Sequence, residues 1–463
     1  MSSRPLATAL ALLGAVLVGL PAVASEPLTA DQAAALALAR SPALEVLQDQ
    51  LVEDQVLVRT ANEIANPTLR VASESSELFF PAIEGRPYSA DPVRNTNVAL
   101  RWSPPNLSAW PTRQARAERH VDQSQAQLQQ AQRDLVARVR TLHTTLLNIE
   151  QELALEATGL ELRDKQRTLI TRRLENQAAT GLDRNLAELD YSETVLDLQE
   201  LQSSQRQSYG TLLALLGVSA DTQYVLVAGS NDGCTLPRQA LPELFAQAHA
   251  HNPAFASIQA EIDEVDADIA RAYFELIPWF DYVQLGVALG ESDTRFAFGT
   301  ADNKNAALRF GLGIRFPLFN WNQDEIAVLK ARRQKLEAQR RATAYDIENR
   351  VQRVVEELRG RVFLLQRHGA ADQSVVDDSL RQINRALDLG EADPVQMALL
   401  QSRTLAARRA YLRASLRCQE SVIELERLTG DTLNGAAPQS SSAPATLPVP
   451  PSTASTGAAH ENE

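Results

Sequence analysis

Along residues 307–326, ALRFGLGIRFPLFNWNQDEI, apolar and polar positions alternate with period two. Leu308, Phe310, Leu312, Ile314 and Phe316 share one side of an extended chain, and Arg309, Gly311, Gly313 and Arg315 share the other. The same alternation predicts four strands in all, at about 68–76, 96–103, 279–290 and 306–316. Leu69, Val71, Val98, Leu100, Trp102, Val283, Leu285, Val287 and Leu289 continue the apolar face, while Arg70, Arg101, Gln284, Arg309 and Arg315 lie on the polar one. A two-faced strand needs one apolar neighbour and one wet one, which a soluble sheet or a membrane barrel supplies. The segments joining the strands of each pair, 77–95 and 290–305, read as long loops of the kind found on one side of a membrane barrel.

Elsewhere the period is helical. Leu135, Val139, Leu142, Leu146, Ile149 and Leu153 step alternately by four and three, as do Ile347, Val351, Val354 and Leu358, which is a coiled-coil seam. From Pro111 to about Gln177 nothing interrupts the pattern, predicting a helix on the order of 100 Å long. The chain then reverses near 178–185 and again near 389–394, returning as helices to Gly217 and Gly430. Thr29, with Gln32 three positions on, caps a short helix that meets Pro42 and continues to about residue 65. Its counterpart meets Pro253 and continues to about 276.

The chain is therefore written twice. Ser41-Pro42 lines up with Asn252-Pro253, Pro67 with Pro278 and Trp110 with Trp321, all at one offset. A small drift later, Leu215-Leu216-Gly217 and Leu428-Thr429-Gly430 close the two halves. The expected organisation is a first repeat at 25–217, a linker at 218–240, a second repeat at 241–433 and a Pro/Ser/Ala-rich disordered tail at 434–463. Before them, Arg4, the apolar run from Leu6 to Leu20 and Pro21-Ala22-Val23-Ala24 form the three parts of a secretory signal, residues 1–24.

Composition narrows the picture. Aromatics are 5 % of the chain, while Ala, Leu, Gln, Arg and Glu dominate, as in long helices. A net charge of −13 argues against a nucleic-acid partner. After the signal no stretch of about 18 apolar residues follows, so a helical membrane protein is excluded and only a β-barrel could carry the chain through a bilayer. A membrane barrel needs about eight strands or more, so four per chain require several copies to share one. Cys234 and Cys418 permit a disulfide in an exported protein without requiring one. No nucleophile elbow, phosphate loop or zinc-protease helix is present, so no enzyme and no cofactor are expected. His249 and His251 lack further ligands at metal spacing and read as solvated or helix-end residues.

The duplicated plan, ANPTL (65–69) before the first strand, FPLFNWNQ (316–323) after the last, and the turns TGL (180–182) and LGEAD (389–393) resemble the TolC family of outer-membrane efflux channels, over about residues 28–432. The resemblance implies a mainly α fold with a small membrane β-barrel. Three copies would form a homotrimer whose strands make a twelve-stranded barrel and whose helices make a periplasmic tunnel. It also implies a passive exit duct served by a periplasmic adaptor and an inner-membrane pump of the resistance-nodulation-division (RND) type. ANPTLRVASES and FPLFNWNQDEI look most like the heavy-metal branch, hence metal cations as cargo. Multidrug efflux or type I protein secretion is the alternative, and a structural coiled-coil protein without a pore a more distant one.

By the same resemblance Thr180, Gly181, Leu182, Leu389, Gly390 and Glu391 are the tip at which the adaptor docks, although Gly181 and Gly390 also read as helix stops at positive φ. Gln396 and Leu399 stand where the family's best-known member carries entrance carboxylates; Glu188, Asp190 and Asp393 are the substitutes, or simply solvated acids. Arg70, Arg101, Arg309 and Arg315 would line the barrel lumen, or merely face water.

Overall fold

The computed structural model describes residues 27–76, 93–229, 233–296, 299–389 and 393–430. The signal at 1–24, the tail at 434–463, Gly390 and Glu391 lie outside the described residues.

The first half opens with β1 (Pro27–Leu28), α1 (Ala30–Arg40) and α2 (Pro42–Thr60), followed by strands β2 (Thr68–Ser76) and β3 (Val93–Trp102). Then come α3 (Trp110–Glu175) and its antiparallel return α4 (Gly181–Leu216). The second half repeats the order as β4 (Val225–Leu226), α5 (Leu241–His251), α6 (Pro253–Phe274), β5 (Trp279–Phe296), β6 (Gly299–Arg315), α7 (Gln323–His368), α8 (Ala370–Leu389) and α9 (Pro394–Thr429). At 66 residues, α3 is about 100 Å long.

Local chemistry sets the boundaries. Thr29 and Gln32 form the expected capping box: Gln32 N–H donates to Thr29 Oγ1 at 3.3 Å and Thr29 N–H to Gln32 Oε1 at 2.9 Å. Pro42 and Pro253 sit at the first positions of α2 and α6, where a missing N–H costs nothing. At the far ends, α4 stops at Gly217 with φ 65° and α9 at Gly430 with φ 77°, both left-handed.

The duplication is also present in the packing. Ala33 and Ala37 of α1 meet Val139 and Leu146 of α3 and Leu212 and Leu216 of α4 in one core. Leu244 and Ala248 of α5 meet Val351 and Leu358 of α7 and Leu425 of α9 in a second. The predicted seam residues Val139, Leu146, Val351 and Leu358 are all buried.

Several boundaries differ from the sequence reading. α2 ends at Thr60, short of residue 65, because the chain turns at Ala61 and Asn62 ahead of Pro67, where Ala65 gives its carbonyl oxygen to the Trp102 indole N–H at 2.9 Å. β3 begins at Val93. The expected loop at 290–305 is mostly ladder: β5 and β6 stay paired from Glu291↔Lys304 to Phe296↔Gly299. Backbone pairing does not need apolar side chains, so the strands outrun the alternation that announced them. The long helix of the second half breaks at Gly369, between α7 and α8, whereas α3 runs through.

The pairing of β1 with β4, in parallel, carries no sequence period because each is two residues long. It is buttressed by His143, fully buried, whose Nε2 lies 2.9 Å from the Leu28 carbonyl oxygen.

The remaining strands form one antiparallel sheet in the order β2-β3-β5-β6, so β3 pairs with β5 and joins the halves. Its two outer edges are β2 and β6.

Candidate functional site

Two regions bear the features singled out in the sequence: the sheet, and the turns at the far ends of the long helices.

Register fixes the faces of the sheet. Leu69 lies opposite Leu100, Leu100 opposite Leu285 and Leu285 opposite Phe310; Val71, Val98, Val287 and Leu308 form the next row. These side chains are exposed although apolar, so no described residue covers this face. On the other face Arg70, Ala99, Gly286 and Arg309 form one row, and Thr68, Arg101, Gln284 and Gly311 the next. All four predicted arginines are thus on one face, with Arg315 beyond Gly311 and Gly313 on β6.

A bulge between Phe280 and Tyr282 interrupts the β5–β6 ladder. It turns Asp281 toward the polar face beside Tyr282. Arg315 donates from Nη2 to Asp281 Oδ1 at 2.8 Å, and Arg101 Nη2 is 3.8 Å from Asp281 Oδ2. The Arg101 guanidinium also lies over the Tyr282 ring, 3.9 Å from its centroid. Gly313 is required here, since a Cβ would collide with that ring. Neither Asp281 nor Tyr282 was identified from sequence. The signal was the step of three between outward-facing Phe280 and Val283, where the strand otherwise steps by two.

At the opposite end of the helices, α3 closes with Asn176 as C-cap and Gln177 at φ 58°. Thr180 then caps α4: Asp183 N–H donates to Thr180 Oγ1 at 3.2 Å, and Asp183 Oδ2 accepts from Thr180 N at 2.8 Å and Oγ1 at 2.7 Å. These bonds from Thr180, the backbone N–H first, hold the Asp183 carboxyl below its ordinary range. Gly181 is therefore the first residue of α4 and not a helix stop; the left-handed position belongs to Gln177. Nothing stands within 4 Å of a Cβ at Gly181. Leu182 is 77 % exposed and Leu389 66 %.

The acids differ among themselves. Glu188 is paired with Arg167, Nη1 to Oε1 3.4 Å, and Arg167 also binds Asp164 and covers the Tyr191 ring. Asp190 is half-buried and gives its backbone oxygen to Arg163 Nη1 at 2.6 Å, while Asp393 is exposed. Lys165 joins α3 to α8 through Asp388 at 3.3 Å and Asn384 at 2.6 Å. Near the middle of the molecule, Cys234 and Cys418 are paired with Cα atoms 5.7 Å apart, inside the span of a disulfide. His249 meets Glu348 at 2.9 Å and stacks on Phe255.

Among the described residues no helix is long and apolar enough to cross a membrane. No family model matches the sequence, and no curated protein matches it. Solved structures do match. The outer-membrane channel OprN is 15 % identical over 88 % of this chain and 91 % of its own, with a TM-score of 0.66. CusC, whose structures concern transmembrane channel formation, is 15 % identical over 86 % and 91 %, at 0.64. The outer membrane protein VceC of Vibrio cholerae is 17 % identical over 87 % and 96 %, at 0.63. The chain has the fold of outer-membrane channels, and the resemblance carried by its sequence motifs holds at that level.

Proposed function

We propose that this chain, having the fold of outer-membrane channels, is a passive exit duct in the outer membrane that extends into the periplasm and has no catalysis of its own. The observation that carries the reading is the sheet: apolar rows exposed on one face, arginines on the other, and open edges at β2 and β6. In hydrocarbon each unpaired edge group costs several kcal/mol, which a closed barrel removes. Pairing β6 of one copy with β2 of the next, three copies close a twelve-stranded homotrimeric barrel whose outer face meets lipid and whose inner face meets water. The long helices continue it as a periplasmic tunnel.

At the tunnel's far end, Thr180, Gly181, Leu182, Leu389, Gly390 and Glu391 form the surface on which a periplasmic adaptor docks, linking the duct to an inner-membrane pump of the RND type. Exposed Leu182 and Leu389 support that role. Glu188, Asp190 and Asp393 are the acids that supply negative charge near the entrance, with Glu188 paired to Arg167. Residues 1–24 direct export, and the Cys234–Cys418 bridge forms in the oxidising periplasm.

Metal cations are the narrower proposal for cargo, supported by the motifs of residues 65–75 and 316–326 alone. The lumen-side arginines favour the second reading, multidrug efflux or type I protein secretion, because a positive wall repels free divalent cations.

The duct is tested by membrane extraction and conductance. Partition into the outer membrane, release by detergent only, an oligomer on unheated gels and channel activity in planar bilayers are expected; recovery in a periplasmic wash without conductance would overturn it. Growth of a deletion strain on divalent metals, dyes and antibiotics separates the cargoes.

A further inference from the structure

Arg70 and Arg309 occupy the ends of one row across the sheet, Arg70–Ala99–Gly286–Arg309, on the two edge strands. They differ from Arg101 and Arg315, which share Asp281. The acid nearest Arg70 along its own face of β2 is Glu74, four residues away and about 13 Å at strand rise. Asp281 stands beside Gly313, an equal distance along β6 from Arg309. Long side chains shorten these backbone separations, yet among the described residues neither Arg70 nor Arg309 is ion-paired with a carboxylate. The middle of the row is bare. Ala99 is small, and Gly286 must be, since a Cβ there would come within 2.6 Å of the Ala99 Cβ and 2.7 Å of the Val98 oxygen. Both guanidiniums are exposed above it.

From this geometry we infer that Arg70 and Arg309 form an anion-binding girdle in the barrel lumen, which prefers anions to cations in passage and takes multivalent phosphate- or carboxylate-bearing solutes. The inference rests on the shared-barrel reading. Closing the barrel turns the row Arg70–Ala99–Gly286–Arg309 of every chain to the lumen, with two arginines per chain. Two exposed guanidiniums on one row make this stretch of wall positive, and each offers a phosphate or carboxylate two parallel N–H donors. Bare Ala99 and Gly286 leave room for that anion.

The test is the reversal potential of the purified oligomer in a planar bilayer under a potassium chloride gradient, with inorganic tripolyphosphate as blocker. The wild-type channel is expected to pass chloride in preference to potassium. In R70Q/R309Q the chloride-to-potassium permeability ratio should fall at least about threefold, and tripolyphosphate block should weaken about tenfold, as for loss of one charged hydrogen bond. R70K/R309K should retain the preference, since the charge is kept. If the double variant does not run as an unheated oligomer, the single R70Q and R309Q channels are read in its place, with smaller falls expected. A conducting wild type that prefers potassium, or glutamine variants that leave ratio and block unchanged, would overturn the girdle and leave the duct standing. An absence of conductance from the wild type would remove the duct and the girdle together.

Discussion

Gly217 holds φ 65° where the end of α4 meets the end of α1, and a Cβ there would run into the Arg40 carbonyl oxygen. Gly217→Ala should therefore destabilise the protein by at least roughly 1–2 kcal/mol, the cost of the left-handed backbone alone, visible as a lowered melting temperature in detergent. Gly181 behaves oppositely. It is helical with open space around it, so Gly181→Ala should stabilise α4 by about 0.5–1 kcal/mol; a loss of efflux in that variant would then report on docking and not on folding. Thr180-x-x-Asp183, a capping pair plain in the sequence, marks Gly181 as a helix start. The notion of a glycine stop fails because it weighed the glycine and not the cap. Asp183 also sets a pH dependence. Its carboxyl is held low in the folded tip, so its stabilisation is complete above the ordinary carboxylate range and is lost as pH falls through the lowered value. Protection from hydrogen exchange at residues 180–186, taken relative to the intrinsic exchange rate at each pH, should fall on acidification in the wild type and stay nearly constant across the same range in Asp183→Asn.

Between elements, two links decide how the helices hold together. Glu156 of α3 is 3 % exposed and accepts from Arg409 Nη2 of α9 at 2.6 Å. Arg409→Met leaves the buried Glu156 carboxylate unpaired and should cost about 3–5 kcal/mol, whereas Glu156→Gln, which leaves the partly exposed Arg409, should cost less, and Glu156→Leu with Arg409→Met should recover most of the loss in denaturant titrations. The second link is Cys234–Cys418, which spans 184 residues and fastens the linker to the core of the second half. Chain entropy puts its contribution at about 5 kcal/mol, to be read as the difference in unfolding midpoint between the wild type and Cys234→Ser. In the first half the corresponding work falls to β1–β4 and His143. The seams, caps and strands were legible because each has a period or a fixed spacing. A two-residue strand, a buried histidine tether and a cysteine pair have neither, and they become visible only once distant segments meet.

At the scale of the whole molecule, the duplication could be read from the spacing of prolines and tryptophans, and the packing repeats it core for core. What one chain does not disclose is the partner of its outer strands, since the rows of the sheet end at β2 and β6. The two halves depart from each other at Gly369, where α7 gives way to α8 while α3 stays unbroken, and a Cβ at that glycine would collide with the Leu365 carbonyl oxygen. Were three such chains to close the ring proposed above, its wall would be a set of six staves, and only every second stave would have a joint. Such a wall would yield in three places while the intervening staves stood as fixed posts, a three-leaved shutter on a frame that does not move.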